Sequence, residues 1–225
     1  MSISIFDIIG PVAVGPSSSH TAGAVKIGNI TRSIVGGNVD SAEITFYGSF
    51  AHTYLGHGTD RALLGGLLGL AVDDVEIRNA RELARKAGLR YTIATSDDPR
   101  FHPNTVRIVA RNGVRSANIR ASSVGGGAIS LDYMNGYIVG ISCNLPTLIV
   151  PHRDLPGTIA AISHELASDN LNIAYMKLSR AKRGGSVVVV FEIDSAVPVD
   201  TRERIRNITG IDDIIYISPL HGNNI

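Results

Sequence analysis

The chain has no tryptophan, a single cysteine and only 5% aromatic residues. One cysteine, Cys143, cannot close an internal disulfide. Nor can it build an iron–sulfur cluster or a thiolate zinc site, which take about three or four thiolates. An excess of one charge is also missing: 21 Lys and Arg stand against 20 Asp and Glu, a net charge of +1. Bulk electrostatics therefore gives no pull toward nucleic acid or an anionic membrane. No apolar run reaches the roughly 18 to 20 residues of a membrane span. The opening MSISIFDIIGPVAVG is apolar but lacks the basic n-region of a secretory signal, so a cytoplasmic location is expected. The four lysines are Lys26, Lys86, Lys177 and Lys182, and none has the glycine-flanked setting that suggests a pyridoxal phosphate Schiff base.

What is abundant is small and apolar. Hydrophobic residues make up 44% of the 225 positions, and 24 positions are glycine. That composition suits a compact protein of mixed α and β structure with many tight turns, in one or two domains. Ala24, Ile27, Ile30, Ile34 and Val35 recur at helical spacing, which predicts a helix over Thr21–Val35, capped by Ser19 or Thr21 and ended by Gly36-Gly37. A strand is expected over Ser41–Tyr47, an apolar helix over about Thr59–Leu70, and a short charged helix over Asn79–Ala87. Strands over Thr105–Arg111 and 114–124 flank Asn112-Gly113, a pair suited to a type I′ turn. Two more short strands flank Asn135-Gly136.

Near Asn144–Pro146 the pattern restarts: a strand at Thr147–Val150, a helix at Pro156–Ser168, strands at Asn172–Arg180 and Ser186–Ile193, a helix at Val199–Asn207 and a strand at Asp213–Ile217. That βαββαβ order is the ferredoxin-like unit. The expected organisation is therefore α+β, with an N-terminal α/β domain in residues 1–145 and a C-terminal domain in residues 146–225.

Three polar clusters break the apolar background. Gly15-Pro16-Ser17-Ser18-Ser19-His20-Thr21 precedes a helix, where hydroxyls and free N–H groups can capture an anion. Gly56-His57-Gly58-Thr59-Asp60 is read as a second helix start, where glycines leave room for a ligand and the positive helix end favours a neutral imidazole. Asp60 there serves either an imidazole or the helix dipole. Phe101-His102-Pro103-Asn104-Thr105 leads into a strand and is followed by Gly125-Gly126-Gly127. Each cluster also has a plainer reading, as a cap, a closed turn or a loop.

The runs GPSSSHTAGAVKIG, YGSF, GHGTD, FHPN and SVGGG resemble the iron–sulfur L-serine dehydratases, in the layout of the β chain of the two-chain type. The resemblance covers essentially the whole sequence. It implies an N-terminal domain similar to the allosteric substrate-binding domain of D-3-phosphoglycerate dehydrogenases. It also implies an α-chain partner whose cysteines hold a 4Fe–4S cluster. The implied reaction is α,β-elimination of water from L-serine, giving pyruvate and ammonia. Of the residues in these motifs, His57 is the expected Cα base and His102 the second choice, with Ser18, Ser19 and His20 beside them. Ser17, Thr21, Gly58, Thr59, Asp60, Asn104 and Gly126 are expected at the substrate.

The C-terminal run around Leu148–Gly157, with Asn170–Ala174, resembles an ACT domain, a small amino-acid-binding module that pairs side by side through its sheet. In that resemblance His152, Asp154, Gly157 and Asn172 are the ligand residues, with Asp154 standing where relatives have asparagine. Self-association through this domain is expected. The alternative to an enzyme subunit is an amino-acid-sensing regulatory subunit whose partner holds every catalytic group.

Overall fold

The computed structural model describes residues 19–113, 115–180 and 182–219. They form α1 (Ala22–Val35), β1 (Ser41–Tyr47), α2 (Gly48–His57), α3 (Thr59–Leu68), a 3₁₀ turn (Val75–Asn79), α4 (Ala80–Lys86), β2 (Arg90–Ser96), β3 (Thr105–Asn112), β4 (Arg115–Gly125), β5 (Ala128–Met134) and β6 (Tyr137–Ile141). After these come β7 (Thr147–Arg153), α5 (Thr158–Ser168), β8 (Ile173–Arg180), β9 (Ser186–Ile193), α6 (Val199–Arg206) and β10 (Ile215–Ile217). Backbone contacts group the chain into two compact units, and the switch between them falls at residues 137–143.

The first unit is a six-stranded sheet in the order β2-β1-β3-β4-β5-β6. β1 and β2 run parallel, which needs a long crossover, and α2, α3 and α4 supply it. β1–β3, β3–β4 and β4–β5 are antiparallel. Alternation assigns the faces: Ala42, Ile44 and Phe46 of β1, Val106, Ile108 and Ala110 of β3, and Ala117, Ile119 and Ala121 of β4 are buried. The residues between them, among them Glu43, Arg107, Asn118 and Arg120, are exposed or half-buried.

Helices α1 and α3 meet backbone to backbone on the buried side. A methyl built on Gly28 would sit 2.5 Å from the Leu63 carbonyl oxygen and 2.7 Å from the Leu67 nitrogen. One built on Gly66 would overlap the Val25 carbonyl oxygen. Asn29 Nδ2 donates to the Leu70 carbonyl at 2.9 Å and ties the two helices again.

The second unit is an antiparallel sheet in the order β10-β7-β9-β8, with α5 and α6 as its crossovers. This is the ferredoxin-like arrangement expected from the βαββαβ order. Leu148, Val150, Ile162, Leu166, Val189, Phe191 and Ile205 are at the centre of its core.

Several local expectations shift. β2 and α2 carry no strong sequence signal: β2 is a sheet edge with mostly exposed residues, and α2 begins at a glycine and buries only Phe50 and Ala51. At the first hairpin Asn112 ends β3 and pairs with Arg115, so it belongs to the ladder rather than to the turn. The doubly positive φ of a primed turn occurs instead at Asn135 (49°) and Gly136 (100°). Pro156 is not the first helical residue, because α5 starts at Thr158 behind Gly157, whose φ is 88°.

These contacts give opposite signs to two glycine substitutions in helices. Gly66→Ala should lose about 1–3 kcal/mol by overpacking. Gly56→Ala, where an added methyl meets nothing within 4 Å, should gain roughly 0.5–1 kcal/mol from helix propensity. Thermal melts of the two variants against the parent chain check both signs.

Candidate functional site

Local folding brings the N-terminal clusters together. The turn before α1 carries Ser19, His20 and Thr21, and the junction of α2 and α3 carries His57, Gly58 and Thr59. The His20 and His57 rings meet edge to face, with centroids 4.6 Å apart at 84°. Phe50 closes the other side of His20 at 5.2 Å. Ser49 Oγ lies 3.4 Å from His20 Nε2. The loop before β3 also abuts the start of α2, where the Phe50 N–H donates to the Pro103 carbonyl at 3.1 Å.

His57 is therefore not simply at a helix start. It is the last residue of α2, and Gly58, in the left-handed region at φ 70°, both ends α2 and begins α3. The positive helix end expected beside it is matched by a negative one. His20 is buried, and its pKa is lowered from the ordinary 6.5, first by desolvation and then by the nearby His57. Both causes favour the neutral form of the His20 imidazole.

The expected caps are not made. Neither Ser19 nor Thr21 gives α1 a side-chain cap, and Thr59 gives none to α3. Their absence leaves polar atoms over. Thr21 Oγ1, His57 Nδ1, Thr59 Oγ1, Asp60 Oδ1, Asn104 Oδ1 and Ser123 Oγ are all buried without a hydrogen-bonding partner among the described residues. Ser123 stands against the first turn of α1, since a methyl on Gly23 would overlap its Oγ, and its N–H donates to the Asn104 carbonyl at 2.9 Å. Buried polar atoms of this kind each cost about 1–3 kcal/mol unless something satisfies them. Thr21 and Ser123 stand at the N-terminal end of α1, and His57, Thr59 and Asp60 at that of α3, a placement that suits a small polar ligand with an anionic group.

Asp60 does not orient an imidazole. It is 1% exposed, and its Oδ2 accepts from Arg81 Nε at 2.7 Å and Nη2 at 2.5 Å. Arg81 on α4 thus offsets the cost of a buried carboxylate in the first turn of α3. Nothing in the sequence linked position 81 to position 60, because the pair forms only through the packing of α4 on α3. Ser123 was also missed as a site residue, although it opens the SVGGG run.

Other expected residues lie apart. His102 is exposed, and its Nδ1 accepts the Asn104 N–H at 3.1 Å, closing a turn. It makes no ring contact with His20 or His57 among the described residues. Gly126 is exposed, at φ 57° within a run of three left-handed glycines. Ser17 and Ser18 lie outside the described residues.

In the second unit, His152 is 2% exposed, and its Nδ1 is 3.0 Å from the Val150 carbonyl oxygen. Asp154 accepts from the Gly184 N–H at 2.9 Å and from Arg180 Nη1 at 3.1 Å. The Gly184 N–H and then Arg180 hold its carboxyl below the usual range. Gly157 opens α5 with clear space around its Cα. Asn172 Nδ2 donates to Asp194 Oδ2 at 2.6 Å. His152 pairs with Val187 at one end of β9, whereas Asn172 receives the Asp194 N–H on its carbonyl at the other end. Those ends are roughly 23 Å apart at about 3.3 Å per residue. One chain therefore does not bring His152 and Asn172 into one site.

Comparison with known proteins agrees with this architecture. The family profile described as "Serine dehydratase beta chain" matches residues 4–98. The "Probable L-serine dehydratase, beta chain" of Bacillus subtilis is 38% identical over 214 residues, 94% of this chain and 97% of that one. The "L-serine dehydratase, beta chain" of Peptoniphilus asaccharolyticus is 38% identical over 217 residues, 95% and 97% of the two chains. A D-3-phosphoglycerate dehydrogenase of Methanocaldococcus jannaschii is 27% identical over 199 residues, 87% of this chain but 37% of that longer protein. The mixed α+β fold, a dehydrogenase-related N-terminal domain followed by a ferredoxin-like ACT domain, stands as expected. Near-complete overlap at this identity makes the chain a member of the L-serine dehydratase beta chain family.

Proposed function

We propose that the chain is one half of a two-chain, cytoplasmic L-serine dehydratase that converts L-serine to pyruvate and ammonia together with a cluster-bearing α chain. The observation that carries this reading is the edge-to-face contact of His20 and His57 at 4.6 Å, between helix ends whose buried Thr21 and Thr59 hydroxyls have no partner among the described residues. A 4Fe–4S cluster on the α chain would supply the Lewis acid that helps hydroxide leave. This chain does not offer the ligands for it. Its one cysteine, Cys143, is buried, and desolvation followed by the Glu192 carboxylate pushes the thiol well up.

The work left to this chain is proton transfer and orientation. His57 takes the Cα proton of serine as hydroxide departs from Cβ, leaving aminoacrylate. That product tautomerises to the imine, and water hydrolyses the imine to pyruvate and ammonia. His20, kept neutral by burial, packs against His57 and adds no second positive charge beside the proton it gains. The N-terminal end of α1, with the Ser17–Thr21 segment and Ser123, holds the substrate carboxylate. Thr59, Asp60 and Asn104 complete the polar wall.

The second unit serves assembly and amino-acid binding. β8 is a sheet edge, and Tyr175, Met176 and Leu178 on it are exposed. Two copies pairing antiparallel along β8 would set the His152 end of one beside the Asn172 end of the other, giving each serine site residues from both copies.

In the assembled two-chain enzyme, His57→Ala should cut pyruvate formation by about 10²- to 10⁴-fold with the cluster absorbance unchanged. Turnover near that of the parent would move the base to the α chain and leave this chain a regulatory subunit. For the edge, Met176→Lys should shift sedimentation of the full chain toward a smaller species, since a lysine on an edge strand blocks pairing. An unchanged sedimentation profile would remove β8 from the interface.

A further inference from the structure

The face of the six-stranded sheet opposite the helices holds a feature that the elimination reaction does not use. Arg107 on β3 and Arg120 on β4 stand directly opposite each other across the antiparallel pair. Directly opposed side chains on one face have Cβ atoms about 4.5–5.5 Å apart, and like charges in that position repel. Neither guanidinium reaches a carboxylate within ion-pair distance among the described residues. The nearby carboxylate Asp132 is taken up instead by Ser122 Oγ at 2.9 Å and Ser130 Oγ at 2.5 Å. Asp98 is occupied by Arg100, which holds it down to about 2.

Both arginines are nevertheless held in place. Arg120 lies over the Phe101 ring at 4.5 Å and over Tyr133 at 5.5 Å. Phe101 is itself braced by Tyr47 at 4.9 Å. Arg107 Nε donates to Asn118 Oδ1 at 3.0 Å, which fixes its head group. A repelling pair that solvent alone had to screen would be expected to splay apart, whereas here aromatic faces and an amide hold the two cations on neighbouring strands. Planar guanidinium groups arranged this way match the oxygens of a carboxylate or phosphate.

We infer that Arg107 and Arg120, braced by Phe101, Tyr133 and Asn118, form an oxyanion-binding site on the helix-free face of the sheet, separate from the histidine pair. Its ligand is a carboxylate or phosphate group, either on a free small anion or on an acidic side chain of the partner subunit. The inference stands on the strand register and the ring contacts, independently of the elimination reaction.

The test is a thermal melt of the full-length chain in sodium phosphate against sodium chloride at equal ionic strength, for the parent, Arg107→Gln and Arg120→Gln. A saturable rise of the midpoint with phosphate in the parent, lost in both variants, is the expected result. In chloride, Arg107→Gln should melt no lower than the parent, because it removes a repulsion. A phosphate response equal in all three proteins would overturn the site. So would no phosphate response in the parent together with unaltered α-chain binding by both variants. A second arm repeats the titration on the assembled pair. Loss of the phosphate response there, with weaker assembly of the variants, identifies a partner carboxylate as the ligand. A retained response identifies a free anion.

Discussion

Helices α1 and α3 approach so closely that their backbones touch at Gly28 and Gly66. Dispersion falls off steeply with distance, so a contact without intervening side chains fixes both position and rotation of the two helices. About two turns N-terminal of that contact stand His20 on one side and His57 on the other. The spacing of the imidazoles is thus set by glycines remote from them. Gly23, pressed on Ser123, locks the start of α1 to the end of β4 in the same way. The Asp60–Arg81 pair locks the start of α3 to α4.

Holding two imidazoles edge to face has an electrostatic consequence. Burial disfavours a charge on His20, and a neighbouring imidazole disfavours a second one. The pair therefore accommodates one proton more readily than two. This is the property that the proposed proton transfer from carbon requires near neutral pH. The Thr21 and Thr59 hydroxyls at the two helix ends, without a partner among the described residues, are available to a ligand.

Much of the fold could be read from hydrophobic period. The ferredoxin-like unit was legible because its strands alternate or run apolar and its helices are punctuated by Gly, Pro and Asp. β9 matched residue for residue, at Ser186–Ile193. α2 was not legible, because its glycines and its single short apolar stripe resemble a loop; its helical state comes from Phe50 packing on Phe46 and His20. The motifs pointed to His57, His20, Thr21, Thr59 and Asn104 because each cluster sits where an element begins or ends, and the structure brings the His20 and His57 rings into contact. His102 was not brought to the pair, because its ring closes its own turn. Arg81, Ser123 and the opposed arginines were invisible for one reason: each gains its meaning from a partner far away in sequence.

The site depends on buried His20 and half-buried His57 standing as a repelling pair. The direct measurement is an NMR titration of the imidazole C–H signals of the chain and of its His57→Ala variant. His20 should titrate below the ordinary 6.5. In the variant its midpoint should rise, yet stay below that value, because desolvation is the larger cause and persists. A His20 midpoint at or above 6.5 in the parent, or one that His57→Ala leaves unmoved, would contradict the account.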